Sequence, residues 1–464
     1  MITLYLNHYR GFEDTFIPLD DVTFLVGENS TGKTSVLTAL RALSADGIWA
    51  LGRFQLNDEV VGGFSDFASN GVAWFQIGYF RRERGEKTSY DAVLLTFAGR
   101  GSNIPWVMDV RLRSANTDVH FHWDGDDLSF EKKPASGSVE EGFRAWTKLE
   151  PSSSEGLSAI DVDGPNPHTP MGMITGLFAH ESASYNEQMD AYCEASDTQA
   201  QKVTALAHAA HSGIGASVPE VPPLPARPSF PSPFPFDLSW TGNLEWLAPI
   251  RAKPRRSYNS VAESYSPEGE HIPWTLRSLS ERSKLRERLR DFGTQSGLYD
   301  DVGTQGFGDT EDAPFEVRVR LGDRTPNLIN VGYGVSQVLP VVASVLNPSS
   351  RGAWFALQQP EVHLHPRAQA ALGDQIFEMA LPPHNKRFLI ETHSDYVVDR
   401  FRFRMREAGK TGPPLRAQVL FFERVEGGNI VHRLPLAEDG EYPKDQPEAF
   451  RAFFLTEELQ NLGY

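Results

Sequence analysis

At 464 residues, with 40% apolar and 23% charged side chains, the chain has the composition of an ordinary soluble protein with room for two or three domains. The formal net charge of −17 excludes a surface that is basic overall and leaves nucleic acid only a local patch. No run of about 18 apolar residues is present to span a membrane. The opening MITLYLNHYRGF lacks a signal-peptide plan, and a lone Cys193 cannot close an internal disulfide, which together fit a reducing cytoplasm.

In chain order, Ile2 to Leu6 and Phe12 to Leu19 read as strands flanking Asn7-His8-Tyr9-Arg10-Gly11, and Val22 to Val26 as a short buried strand. The spacing predicts a β–β–β–loop–helix opening. The loop, Gly27-Glu28-Asn29-Ser30-Thr31-Gly32-Lys33-Thr34, is a complete G-x-x-x-x-G-K-S/T phosphate loop, and Ser35 to Leu43 has helical spacing. Its glycines let backbone N–H groups and the helix N-terminus face phosphates. Lys33 would reach the β- and γ-phosphates of ATP, the Thr34 hydroxyl would ligate Mg²⁺, and Ser35 opens the helix beside them. Arg10, near the loop in sequence, is either a phosphate contact or a solvated turn residue.

From Gly71 the pattern alternates. Val72–Arg81, Tyr90–Ala98, Trp106–Leu112 and Val119–Trp123, separated by turn residues, predict an antiparallel meander. Met171–His180 and Glu187–His211 look helical, and Val218–Phe236 carries eight prolines in an extended, stiff connector that also has the look of an SH3-type ligand. Residues 137–236 therefore read as a helical insertion between an N-terminal ATPase lobe, 1–136, and a C-terminal lobe, 237–464. Glu245–Arg251 returns to the core. Arg251, Lys253, Arg255 and Arg256 then place four cations within six residues, which read either as contacts to phosphates of ATP or of nucleic acid or as a solvated basic loop. Charged helical sequence runs from Thr275 to Phe292, followed by a Gly/Asp-rich loop to about Asp312.

The last third carries three further motifs. Asn330-Val331-Gly332-Tyr333-Gly334-Val335-Ser336-Gln337 opens a helical run to Leu346, a second anion cradle. Ala353–Leu357 is a buried-type strand ending in Gln358-Gln359-Pro360-Glu361-Val362-His363-Leu364-His365-Pro366. After a helix from Pro366 to Leu381, the strand Arg387–Ile390 ends in Glu391-Thr392-His393-Ser394-Asp395. Phe401–Arg406 continues a helix, Val419–Glu423 with Ile430–Leu434 makes a hairpin, and Glu448–Leu459 closes helically. A rival reading of Glu361, His363, His365, His393 and Asp395 is a metal site, with His363 and His365 sharing a strand face.

In this order and spacing the motifs resemble an ABC-class ATPase head of the SMC/RecF/OLD type, over roughly residues 1–135 and 245–435. The resemblance implies an α/β head with a mixed central sheet, an antiparallel meander and a helical insertion, binding ATP and Mg²⁺. Gly334, Ser336 and Gln337 match the signature loop that meets the γ-phosphate held by an opposite subunit, so it implies a homo-oligomer, at least a dimer. Leu357–Glu361 matches Walker B, His393 the switch histidine, and Arg10 an N-terminal basic residue near the nucleotide.

One departure is chemical. The family usually carries acidic residues where Gln358 and Gln359 stand, the first supporting Mg²⁺ and the second directing the attacking water, although some relatives have Glu-Gln-Pro-Glu and so share the second Gln. A glutamine amide hydrogen-bonds water but is no general base. Glu361 or Glu391 would compensate, and hydrolysis is expected to be slow. A TOPRIM nuclease frame is not recognisable after Asp395, where Asp439 and Glu441 are isolated acids. Stand-alone heads of this kind resemble the ATPases of bacterial anti-phage operons, the PARIS (phage anti-restriction-induced system) type among them. That likeness implies a separate effector such as a TOPRIM nuclease and a phage-encoded trigger. The alternatives are a RecF-like ATPase clamping DNA through Arg251–Arg256 and Arg400–Arg406, and a nucleotide-binding scaffold without turnover.

Overall fold

The computed structural model describes residues 2–149, 158–159 and 244–452, apart from 45–47, 49–51, 53, 55–61, 70, 82–89, 100–103, 115, 125–126, 262, 281–282, 309, 311–312, 351–352, 410–411 and 413. Its strands are β1 (Ile2–Asn7), β2 (Thr15–Leu19), β3 (Val22–Gly27), β4 (Trp74–Arg81), β5 (Tyr90–Gly99), β6 (Pro105–Ser114), β7 (Thr117–Asp124), β8 (Asp127–Pro134), β9 (Ser158–Ala159), β10 (Leu244–Leu247), β11 (Asp301–Gly306), β12 (Phe315–Arg320), β13 (Trp354–Gln358), β14 (Arg387–Glu391), β15 (Ala417–Val425) and β16 (Gly428–Pro435). Its helices are α1 (Lys33–Ser44), α2 (Val139–Trp146), α3 (Ile272–Arg277), α4 (Lys284–Ser296), α5 (Tyr333–Leu346), α6 (Pro366–Ala380) and α7 (Asp395–Ala408).

The central sheet has the order β10-β13-β14-β3-β15-β16. The first five strands run parallel, and β16 returns antiparallel at the edge. β3 and β13 are buried along their whole length, as parallel strands covered on both faces must be. Their side chains alternate between two cores. Phe24, Val26, Phe355, Leu357, Phe388 and Ile390 pack with α4–α7. Leu25, Ala356, Leu389, Leu420 and Phe422 pack with α1 and the second sheet.

That second sheet is antiparallel, in the order β2-β1-β4-β5-β6-β7-β8-β9. The four meander strands expected from alternation are β4 to β7, and the sheet extends beyond them. β1 and β2 join it through pairing with each other and of β1 with β4. The β–β–β opening is therefore split, because β3 leaves its neighbours for the parallel sheet. Tyr5, Phe80, Ala92 and Leu94, on the far face of the meander, meet Phe143 and Trp146 of α2. Ser138 caps α2, accepting from Glu141 N while Glu141 bonds back to Ser138 N, a reciprocal capping box that fixes the helix start. α2 is thus docked on the antiparallel sheet. The helices expected at 171–180 and 187–211 and the proline-rich connector lie outside the described residues.

A second difference is the segment read as a Gly/Asp-rich loop. Asp301–Gly306 is a strand, paired antiparallel with Phe315–Arg320. Asp301 is held by Arg286 and Arg290 of α4, so tertiary contacts override the poor strand propensity of Asp and Gly. Among the described residues no helix is long and apolar enough to cross a membrane.

Candidate functional site

β3, β13 and β14 all end at one edge of the parallel sheet, where open α/β folds receive ligands. The chain leaves β3 at Gly27, whose φ is +147°. A Cβ there would stand 2.3 Å from the Phe422 carbonyl of neighbouring β15, so only glycine fits the turn. Gly32 has φ +98°, and a Cβ would lie 2.4 Å from the Phe12 ring. Gly32→Ala is therefore expected to lose about 1–3 kcal/mol of unfolding free energy through backbone strain alone, with a steric part besides. In urea titrations, Phe12→Leu added to Gly32→Ala regains the steric part only. A Gly32→Ala protein as stable as wild type contradicts this packing.

Within the loop, Lys33 is almost fully buried. Its ammonium donates to the Gly27 and Glu28 carbonyls at 2.7 and 2.5 Å. Burial holds its pKa below the ordinary lysine value, against the opposing pull of Glu391 and Glu28. Thr31 closes the turn on the Glu28 carbonyl; Glu28 and Asn29 are exposed, and Ser30 is left-handed at φ +63°. Ser35 stands half-buried on α1.

One residue further on, the Thr34 hydroxyl donates to the Glu391 carboxylate, 3.0 and 3.1 Å from its two oxygens. Gln358 Nε2 donates to Glu391 Oε2 at 2.9 Å and to Thr34 Oγ1 at 3.3 Å. The register pairing Gln358 with Glu391 across β13 and β14 brings them together. The carboxylate beside Thr34 thus comes from the neighbouring strand. A hydroxyl, a carboxylate and a carboxamide converging beside a phosphate loop suit the oxygen-preferring Mg²⁺, once the amide turns its oxygen inward. The donor set and the glycine cradle fit ATP–Mg²⁺.

Glu361 sits elsewhere. Its Oε1 accepts from the backbone N–H of His393 at 2.8 Å, and burial raises its pKa. His393 has its pKa lowered by desolvation and then by the charge of Lys33. Gln359 is half-buried in a left-handed conformation, φ +41°, its N–H bonded to the Glu391 carbonyl at 2.8 Å. Of the two expected compensating acids, Glu391 meets Thr34 and Gln358, whereas Glu361 holds the backbone N–H of His393.

Other expected residues stand apart. Arg10 stacks on Phe67, 4.5 Å from the ring centre, and donates to the Asp66 carbonyl. Its own carbonyl accepts from Asn429, which also abuts Gly32. Phe12 and Asn429 thus wedge the Arg10 turn onto the phosphate loop, and neither carried a sequence signal. Gly334 abuts the His363 carbonyl, and the Ser336 hydroxyl turns back to Tyr333 O. Ser336 and Gln337 are buried within α5, whereas Asn330, Gly332 and Tyr333 of this loop are exposed.

The strand expected to align His363 with His365 is a turn, with His363 at φ +67° against the Tyr333 ring. Among the described residues no group of three His, Cys, Asp or Glu side chains is placed to hold a metal. The basic tracts also differ from expectation. Arg251 is buried, Arg255 pairs with Glu263 and Glu270, and Arg400, Arg402, Arg404 and Arg406 pair with Asp374, Asp399, Glu407 and Glu441.

Parallel sheet, antiparallel meander and a phosphate loop aimed at the ends of β13 and β14 give a mixed α/β fold that matches that of ABC-type ATPase heads. A family model described as "AAA ATPase domain" matches residues 1–68, and one described as "AAA domain, putative AbiEii toxin, Type IV TA system" matches residues 242–399. Among solved structures the chain is similar to an SMC head with an extended coiled coil, bound to the C-terminal domain of ScpA, derived from Pyrococcus furiosus. That match has 10% identity and a TM-score of 0.41 and covers 99% of this chain and 100% of the other. The SMC head from Thermotoga maritima matches at 10% identity, covering 94% of this chain and 98% of the other, with a TM-score of 0.37. An SMC head bound to the C-winged helix domain of ScpA matches at 9% identity with the same coverage and a TM-score of 0.42. No curated protein matches this chain.

Proposed function

We propose that this chain is a slow, ATP-dependent assembly switch of an anti-phage system. Copies join through composite ATP sites and restrain or release a separate effector nuclease, as in the PARIS-type systems it resembles. The observation that carries the reading is the exchange of acids at the strand ends. Glu391 supplies a carboxylate where Thr34 needs one, while Gln359 leaves the adjoining position without a general base. Such a site holds nucleotide firmly and turns it over slowly. The family description naming a toxin of a type IV system supports the defence context.

In this reading the backbone of Gly27–Thr34 cradles the phosphates, and Lys33 leaves the Gly27 and Glu28 carbonyls to meet them. Thr34, Glu391 and Gln358 hold Mg²⁺, which supplies charge neutralisation at the phosphates when bound. The Gln359 amide orients water, and His393 contacts the nucleotide. Gly334, Ser336 and Gln337 face the nucleotide of another copy, with Gly332 and Tyr333 as the exposed approach. The lobes are 1–136 and 237–464, with α2 docked on the first and 137–236 the contact segment for partner or effector; the setting is the cytoplasm. A DNA clamp is the weaker reading, because the arginines of α7 are engaged within the chain.

Light scattering tests this. With ATP–Mg²⁺ the wild-type mass rises at least to that of a dimer while little phosphate is released, and Lys33→Ala stays at its nucleotide-free mass. A mass indifferent to ATP, together with brisk turnover, overturns the switch.

A further inference from the structure

The buried Arg251 has no part in the phosphate chemistry above. It lies just after β10, only 2% exposed. Its guanidinium donates to three carbonyls: Gln358 at 3.0 Å, Gln359 at 3.3 Å and Pro249 at 3.1 Å. Two of these acceptors are Gln358, the last residue of β13, and Gln359 just after it, where the chain turns sharply. Gln359 there is left-handed at φ +41°, a conformation that costs a non-glycine residue energy unless its surroundings fix it. The turn's own bonds are short-range, Val362 N to Gln359 O and Leu364 N to Glu361 O. From outside the turn, Gln359 N–H donates to the Glu391 carbonyl and Glu361 accepts from His393 N–H, and Arg251 adds the side chain that grips the Gln358 and Gln359 carbonyls.

We propose that Arg251 is a positioning residue: by gripping the Gln358 and Gln359 carbonyls it fixes the direction of the Gln359 amide and the place of Glu361. Buried charge supports this. Arg251 and Glu361 are opposite charges withdrawn from solvent, 2% and 8% exposed. A lone buried guanidinium is costly, so the pair is kept for what it holds. The segment carrying Arg251 also reaches the signature approach. Tyr258 bridges to Phe315, and the Arg256 carbonyl accepts from Asn327, whose side chain caps the turn Leu328–Asn330 ahead of Gly334. The residues 249–258 therefore bind both halves of the nucleotide site to one strap.

Only the kinetic arm of the test rests on the ATPase reading. Hydrogen exchange of the nucleotide-free full chain needs no turnover. In Arg251→Lys, and again in Arg251→Ala, the amides of residues 359–364 exchange about 10–100-fold faster, the change carried by one or two charge-assisted bonds. Amides of residues 27–34 keep their wild-type rates. Exchange at 359–364 within twofold of wild type in a folded Arg251→Lys protein overturns the inference. In the kinetic arm, kcat falls while KM for ATP holds, and millimolar guanidinium restores part of the Arg251→Ala rate. A purely structural arginine gives no such rescue, because guanidinium destabilises a weakened fold. A wild type without turnover sinks the hydrolysis reading and leaves the exchange result to decide for Arg251.

Discussion

Replacing Lys33 with alanine is expected to weaken ATP binding by about 100-fold or more and to abolish nucleotide-driven assembly. Lys33 is the one cation inside the phosphate loop, buried and ringed by backbone carbonyls. Removing one member of a buried charge pair costs about 2–5 kcal/mol, and about 2.7 kcal/mol is a factor of 100. The fold is expected to survive, since the two carbonyls released from the ammonium lie at a partly open loop. Equilibrium binding of a fluorescent ATP analogue measures the loss. A Lys33→Ala protein that binds ATP within threefold of wild type means that the loop is not the nucleotide site.

Glu391→Gln carries the second large effect. It removes the carboxylate that touches both Thr34 and Gln358, leaving three neutral oxygen-bearing groups where Mg²⁺ needs charge. Metal-assisted stabilisation of a transferring phosphoryl is worth several kcal/mol, so phosphate release is expected to fall about 100-fold or more. The Mg²⁺ concentration for half-maximal ATP binding rises as well. Glu361→Gln is the contrasting control. It disturbs the His393 N–H contact and leaves Thr34 untouched, so it lowers turnover without moving the Mg²⁺ requirement. Steady-state phosphate release that survives both substitutions contradicts the assignment of Glu391 as the replacement acid. Replacing Gln358 with Asp in the Glu391→Gln background restores Mg²⁺ dependence if the two positions share one ion.

Local chemistry explains what was legible in the sequence. The phosphate loop is contiguous, and its glycines, lysine and threonine follow one another at fixed spacing, so strand, turn and helix were readable without tertiary contacts. Period-2 alternation marked β4 to β7, and continuous apolar runs marked β3, β13 and β14. The order of the motifs gave the head class for the same reason: each motif is a strand end or a helix start.

What tertiary structure alone decided is the pairing of distant segments. Thr34 and Glu391 stand 357 positions apart, and no periodicity says that parallel register will set Glu391 opposite Gln358 rather than Glu361. Arg251 reads as one cation in a basic run, yet it folds inward because the carbonyls at the end of β13 need donors. Asp301–Gly306 is a strand only because β12 and two arginines of α4 hold it. β1 and β2 sit in a different sheet from β3 although they adjoin it in sequence, since pairing energy depends on which strands meet in space. The sequence by itself determined the strand, loop and helix of the phosphate-loop motif and the mixed α/β head fold. Which acid faces the threonine, and which arginine is withdrawn from solvent, followed from strand register and burial, which no short stretch of chain encodes.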